Sequence, residues 1–220
     1  MRQRDVAALV PAAGSGERLG RGPKAFVEVG GRTLLAWAVE ALAPHVGEVL
    51  VAVAAEHVER ARSLVPQARV VEGGASRQET VERLVAACTS RWVVVHDAAR
   101  PFLDAPTVRA VLRALPEARA LSVVTSVADS LVDARDGRSV DRSVLRAVQT
   151  PQAFERSLLL QAHEAARASS LQATDDAGLV RALGVDVALV EGGAHLFKVT
   201  TPSDLRLAQA YAGSLRRSAA

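Results

Sequence analysis

Three observations predict an α/β fold with a mostly parallel sheet and helices on both of its faces. Short runs rich in β-branched residues alternate with helix-length stretches along the chain. Several runs are apolar at every position, as in Val93-Val94-Val95, which fits strands covered on both faces. At 220 residues and 49% hydrophobic content, the chain can bury a substantial core within one domain, 1–220.

VAALV (6–10) opens the pattern as a strand before Pro11, and LLAWAVEAL (34–42) follows as a helix. VLVAV (49–53) is the next strand, 58–64 the helix after it, and Val70-Val71 marks a short third strand. A helix at 77–87 leads to the strand WVVV (92–95), a helix at 107–115 to a strand at 121–124, and a helix at 157–168 to a last strand within 185–190. The final helix, 202–211, starts on Thr201-Pro202-Ser203-Asp204, a capping-box-like sequence with proline at the first helical position. The Ala/Ser-rich end, 214–220, is expected to fray.

One segment breaks the alternation. At 126–149 a turn signal, Asp136-Gly137, lies between strand-length pieces that mix valine with polar residues, which reads as a β-hairpin arm. A hairpin of this kind is marginal alone, so it is expected to pack on something, and a second subunit is one candidate. A mobile surface loop is the other reading.

Composition narrows the class. The single Cys88 excludes an intramolecular disulfide framework, fits a reducing compartment and reads as a helix-packing residue, so a cytoplasmic protein is expected. No apolar run is long enough to span a bilayer, so no membrane partner is expected. A net charge of +3 and a pI near 9.7 suit anionic ligands, but the basic residues are spread along the chain and aromatic content is 3%, which argues against a nucleic-acid partner.

The stretch 6–24, VAALVPAAGSGERLGRGPK, joins a strand to a glycine-rich turn carrying Arg18 and Lys24. Such a turn can hold a polyphosphate, because glycines let backbone N–H groups approach a ligand while the cations contact phosphoryl oxygens. It is not the dinucleotide fingerprint, since Leu19 stands where the third glycine is needed. Nor is it a P-loop, since Lys24 follows Pro23 and precedes Ala25. A plain strand-to-helix connection with exposed cations remains open for this loop alone. A second cluster, Trp92-Val-Val-Val-His96-Asp97-Ala-Ala-Arg100-Pro101, ends a buried strand in ionisable residues, at the strand end where open α/β sheets bind ligands. Asp97 beside a polyphosphate is a natural ligand for hydrated Mg²⁺. An Asp97–Arg100 ion pair ordering a turn is the alternative.

PAAGSGERLGRGPKAF, EGGASRQETV, VVVHDAARPF, VDRSVLRAVQTPQAF, ATDDAG and FKVTTPSDL span nearly the whole chain. In this order they resemble the blocks of the 2-C-methyl-D-erythritol 4-phosphate cytidylyltransferases, CTP-using enzymes of the non-mevalonate isoprenoid pathway; the ribitol 5-phosphate cytidylyltransferases are near relatives. The resemblance implies a Rossmann-like nucleotidyltransferase sheet, CTP and a sugar-alcohol phosphate as substrates, Mg²⁺ as cofactor, and a homodimer joined through the arm.

Residue roles follow from the same resemblance. Arg18 and Lys24 would stabilise charge at the α-phosphorus as pyrophosphate leaves. Backbone from Pro11 through Ala12, Ala13, Gly14, Ser15 and Gly16 would hold ribose and phosphate, and Gly74, Ala75 and Thr80 would read cytosine. Asp97 would bind Mg²⁺, Lys198 would lie near metal and phosphates, and Arg100 would brace the site on its acceptor side. Ser130, Arg142 and Thr150 would bind the acceptor phosphate, partly from the neighbouring subunit, with Thr174 a substrate-side residue or a helix N-cap. Ser130 stands where the family often has threonine, which keeps the hydroxyl. His195 stands where some relatives carry an acid, and imidazole suits Mg²⁺ poorly, so it is read as a surface or supporting residue. His45, His57 and His163 are expected to face solvent, and His96 to orient a turn. The acceptor phosphate already carries the attacking oxygen, so no general base is required. A catalytically silent nucleotide-binding module and a hydride-transfer enzyme are the readings of other classes.

Overall fold

Eleven strands and seven α-helices alternate in the computed structural model, which describes residues 3–218. The strands are β1 (Val6–Pro11), β2 (Glu28–Val29), β3 (Arg32–Thr33), β4 (Glu48–Val53), β5 (Arg69–Glu72), β6 (Trp92–Val95), β7 (Ala120–Ser126), β8 (Leu131–Val132), β9 (Ser139–Val140), β10 (Arg146–Glu155) and β11 (Ala188–Glu191). The helices are α1 (Leu34–Leu42), α2 (Val58–Leu64), α3 (Arg77–Ala87), α4 (Ala105–Ala114), α5 (Arg156–Ala168), α6 (Asp176–Ala182) and α7 (Pro202–Ser218). Seven strands form the main sheet in the order β11-β7-β10-β6-β1-β4-β5. It is mostly parallel, as the apolar runs imply; only β10 runs antiparallel to its neighbours, β6 and β7.

Successive residues of a strand point to opposite faces, and β1 shows why every position must be apolar. Val6, Ala8 and Val10 share one cluster with Leu35, Ala38 and Val39 of α1 and Val108 and Val111 of α4. Ala7 and Leu9 join the other cluster, with Val81, Leu84 and Val85 of α3, Leu158 and Leu159 of α5 and Leu179 of α6. These five residues of β1, Val6 to Val10, are fully buried. Cys88 packs in the second cluster, as a buried free thiol.

The structure departs from the sequence reading in several places. The long β10 and the short α6 are additions to it. The strand sought within 185–190 is β11, shifted to Ala188–Glu191. The last helix runs on to Ser218, so 214–218 is helical instead of frayed, while 219–220 lie outside the described residues. Its start is capped as the sequence suggests: Asp204 N–H donates to Thr201 Oγ1 at 3.2 Å, and Asp204 Oδ2 accepts from Thr201 N at 2.7 Å. Between β7 and β10 the paired strands are two residues each, β8 and β9, around Gly137. None of the described helices is long and apolar enough to cross a membrane.

A third apolar cluster supports the glycine loop. Leu19, Phe102 and Val199 pack with Ala208 and Ala212 of α7. Phe102 takes ring contacts from Trp37, Phe197 and Tyr211 at centroid distances of 5.6, 5.6 and 4.7 Å. One side chain of the loop is thus anchored in the fold while Arg18, its neighbour, stays exposed.

Candidate active site

The loops that leave the carboxyl ends of β1, β5 and β6 converge on one cleft of ≈ 520 Å³. Parallel pairing continues into these loops: Ala12 N–H donates to Ala52 O at 2.7 Å, Gly73 N–H to Val53 O at 2.8 Å, and His96 N–H to Leu9 O at 2.9 Å. The backbone after each strand is therefore held where the sheet ends, the location at which open α/β sheets present ligand sites.

The cleft gathers most of the residues singled out in the sequence. Pro11, Ala12, Ala13, Gly14, Ser15, Gly16, Arg18 and Lys24 line one wall; Gly74, Ala75, Thr80, Asp97 and Lys198 line the rest. Gly16 sits at φ 77°, and a Cβ there would lie 2.3 Å from Gly22 O and 2.9 Å from Lys24 N. Only glycine lets the loop close this tightly on Lys24. Burial lowers the Lys24 pKa, and the charges of Lys198 and Arg18 lower it further, against the smaller pull of Asp97 and Asp204.

The loop before α3 is built by reciprocal capping. Ser76 Oγ accepts from Glu79 N at 3.1 Å, and Glu79 Oε2 accepts from Ala75 N at 2.8 Å. Thr80 Oγ1 accepts from Gly74 N at 3.0 Å and donates to Ser76 O at 2.7 Å, so this hydroxyl shapes the turn from beneath.

Asp97 is the electrostatic centre. Its Oδ1 accepts from Arg77 Nε at 3.0 Å and its Oδ2 from Lys198 Nζ at 2.6 Å. Burial would raise its pKa, but Arg77 and Lys198 overcome that and hold the carboxyl well below the usual range, ionised at any working pH. Its backbone N–H donates to Thr150 Oγ1 at 3.1 Å, and the same hydroxyl meets His96 Nδ1 at 3.0 Å. His96 Nε2 contacts Arg100 O at 3.0 Å; burial pushes its pKa down to about 4, so the ring is neutral and orders the turn.

Arg100 does not pair with Asp97. Its Nη1 donates to Leu196 O at 2.7 Å and its Nη2 to Val148 O at 3.4 Å, tying β10 to the segment that leads to Lys198. Arg77, which the sequence reading passed over, takes that place and also donates through Nη2 to Asp176 Oδ2 at 2.8 Å. Burial would lower the Arg77 pKa, yet Asp176 and Asp97 outweigh it and raise it above the usual arginine value. The available signal was its position at the start of a capped helix beside Gly74-Ala75.

Five expected residues lie elsewhere. Arg100 and Thr150 support the Asp97 turn without lining the cleft, while Ser130 and Arg142 are exposed on the arm, Arg142 donating to Ala128 O. Thr174 is exposed and is not the helix cap: Asp175 fills that role, its Oδ1 accepting from Gly178 N at 2.9 Å. His195 pairs with Asp104 at 3.2 Å, a supporting position. His163 contradicts its expected exposure. It is 1% exposed on the core face of α5, both ring nitrogens lack partners, and burial pushes its pKa down to about 4.

Comparison with known proteins gives a consistent picture. The family model for IspD, 2-C-methyl-D-erythritol 4-phosphate cytidylyltransferase, matches residues 6–214. The enzyme of that name from Deinococcus radiodurans is 56% identical over 211 residues, covering 94% of this chain and 90% of its own. The one from Thermus thermophilus is 49% identical over 211 residues, covering 94% and 97%. A crystal structure of a Thermus thermophilus enzyme of the same name superposes with a TM-score of 0.85 at 46% identity over 94% of this chain and 98% of that one. A 4-diphosphocytidyl-2C-methyl-D-erythritol synthase from Anaerococcus prevotii gives 0.85 at 26% identity, covering 95% and 96%. Sequence and fold agree, and the chain belongs to the 2-C-methyl-D-erythritol 4-phosphate cytidylyltransferase family.

Proposed function

We propose that the chain transfers a cytidylyl group from CTP to 2-C-methyl-D-erythritol 4-phosphate, giving 4-diphosphocytidyl-2-C-methyl-D-erythritol and pyrophosphate for isoprenoid precursor synthesis. The carrying observation is the convergence of Arg18, Lys24 and Lys198 on a cleft whose other wall holds Asp97 and the Gly74-Ala75 turn. Three cations and a glycine-rich backbone suit a triphosphate.

An oxygen of the acceptor phosphate attacks the α-phosphorus, and the bond to the bridging oxygen of pyrophosphate breaks, the leaving group taking the electron pair. Arg18 and Lys24 offset the charge that develops in this step. The acceptor oxygen is already anionic, so no proton need be removed, and the neutral, fully engaged His96 agrees with that. Backbone along 11–16 holds ribose and phosphate, and Gly74 and Ala75 face the base, with Thr80 fixing their turn.

The donor set fits a divalent cation such as Mg²⁺ held largely by the nucleotide. Asp97 offers one ionised carboxylate, and no group of three or more His, Cys, Asp or Glu side chains is placed to hold a metal among the described residues. A hard cation there would complete its shell with phosphate oxygens and water. When bound, it supplies charge neutralisation on the phosphates.

Ser130 and Arg142 bind the acceptor from the arm of a second copy, with Thr174 on the same side and Arg100 and Thr150 bracing beneath. In support, both arm residues lie off this chain's own cleft, and the arm leaves Val132 61% and Val144 76% exposed. The deciding test is an acceptor panel with CTP, Mg²⁺ and a pyrophosphate readout. Release with 2-C-methyl-D-erythritol 4-phosphate is expected; release with ribitol 5-phosphate alone would reassign the acceptor, and CTP binding without transfer would leave a silent module.

A further inference from the structure

We propose that Arg77 is a positioning residue for the transfer, fixing the Asp97 carboxylate from an anchor on Asp176; this rests on the cytidylyltransferase reading above. Arg77 begins α3 and uses two different guanidinium nitrogens on two carboxylates: Nε reaches Asp97 Oδ1 at 3.0 Å and Nη2 reaches Asp176 Oδ2 at 2.8 Å. A planar, rigid fork can bridge them in this way, and a lysine ammonium on a flexible stem cannot hold the same geometry.

The anchor is itself built into the core. Asp176 is 1% exposed. Its backbone N–H and that of Ala177 both donate to Gln152 Oε1 at 3.1 Å, while Gln152 Nε2 donates to Asp175 Oδ2 at 2.6 Å and to Ser122 Oγ at 3.1 Å. The start of α6 is thus pinned to β10 and β7, and Arg77 carries that fixed point across to the cleft. Lys198, the other partner of Asp97, reaches it through a single ammonium on a flexible stem and is the softer restraint. Arg77 therefore sets which way the carboxylate faces when ligands arrive.

A simpler role would be that of a counterion neutralising two buried carboxylates. The two roles separate experimentally. A counterion can be replaced by lysine, and removing it would strengthen cation binding at Asp97 without slowing transfer. A positioning residue cannot be replaced, and its loss slows transfer even where cation binding is kept.

The test compares the full-length wild type with Arg77→Lys, Arg77→Gln and the double variant Arg77→Gln/Asp176→Asn. The double variant removes the stranded carboxylate charge and guards against simple unfolding. Melting curves establish folding, Mn²⁺ titration followed by electron paramagnetic resonance reports cation binding, and steady-state kinetics separate kcat from KM. Arg77→Lys is expected to lose about 10²-fold in kcat with KM for CTP within about 3-fold, and the folded double variant to bind Mn²⁺ at least as tightly as the wild type while turning over about 10²-fold slower. Near-wild-type kcat in Arg77→Lys or in the folded double variant would overturn the proposal while leaving the cytidylyltransferase reading intact. No transfer by the wild type would overturn both.

Discussion

Lys198 and Asp97 stand 101 residues apart in sequence, yet Lys198 Nζ lies 2.6 Å from Asp97 Oδ2 at the wall of the cleft. The contact is prepared on both sides. Val199 N–H donates to Ala99 O at 2.8 Å, and the Phe197 ring packs on Phe102. The end of the chain thereby delivers a third cation to a site opened by its beginning.

Removing the charge at Asp97 tests this centre directly. Asp97→Asn keeps the shape, and Arg77 retains Asp176 as a partner, so the fold should survive. The expected loss in kcat is about 10²-fold or more, with Lys24→Ala falling similarly. Pyrophosphate release alongside circular dichroism checks both, and a folded variant turning over at the wild-type rate would remove that residue from the mechanism.

Lys24 gives the alkaline side of the pH profile. Its pKa lies below the ordinary lysine value of 10.5, through burial first and then the charges of Lys198 and Arg18. As pH rises the ammonium therefore loses its proton earlier than a free lysine, and with it the charge proposed to hold phosphate. In the free enzyme kcat/KM should begin to fall below pH 10.5, and Lys24→Arg, to the extent that it turns over, should move that limb upward. A limb that does not move assigns the alkaline loss to another group.

The alternation of strands and helices was legible because each apolar run is a local signal. β10 was not, because Arg146–Glu155 carries Gln149, Thr150 and Gln152, polar side chains that are buried and find hydrogen-bond partners only at a distance in sequence. Gln152 meets Ser122 and Asp175, and Thr150 meets His96, contacts that exist only after the sheet has formed. The glycine loop and Asp97 stood out by composition, whereas Arg77 became meaningful only through carboxylates 20 and 99 residues away. His163 could have been found: it sits in register with Leu159, Ala162 and Ala166 on the apolar stripe of α5.

Gly16→Ala should damage the loop more than Gly20→Ala. Both glycines have positive φ, 77° and 66°, so each alanine carries a strain of about 1–2 kcal/mol. A Cβ at Gly20 meets nothing within 4 Å, but at Gly16 it runs into backbone atoms of Gly22 and Lys24, which must move. We expect Gly16→Ala to lose about 10-fold or more in kcat, and Gly20→Ala to stay close to wild type in kcat. Equal losses would show that loop strain, and not the placement of Lys24, is the shared cause.

Acid stability should depend on His163, alongside the equally buried His96, whose pKa is also pushed down to about 4. The folded His163 pKa of about 4 lies below the unfolded value of 6.5, so the unfolded chain takes up the proton first. The stability this group contributes is complete above pH 6.5, falls as pH drops through the window, and is gone below 4. At about pH 5 the linkage amounts to about 2 kcal/mol. His163→Leu leaves no donor or acceptor unpaired there, since neither ring nitrogen has a partner. Urea melts at about pH 7.5 and about pH 5 should show a smaller acid loss in the variant by that amount, and an identical loss would place the acid sensitivity elsewhere.

Whether the arm completes the site of a second copy can be read by mixing two inactive variants. Lys24→Ala destroys the cleft but leaves the arm intact; Arg142→Ala does the reverse. If arm and cleft belong to different subunits, a mixed dimer contains one site made of an intact cleft and an intact arm, and one site with neither. Random exchange at equal concentrations makes about half the dimers mixed, so about a quarter of wild-type activity should return. If each arm served its own cleft, every site would carry one lesion and mixing would restore nothing. Val144→Asp, placed at a 76% exposed valine, should lower both the recovered activity and the mass seen by light scattering if the proposed contact between copies runs through the arm, because it puts a charge on that apolar surface.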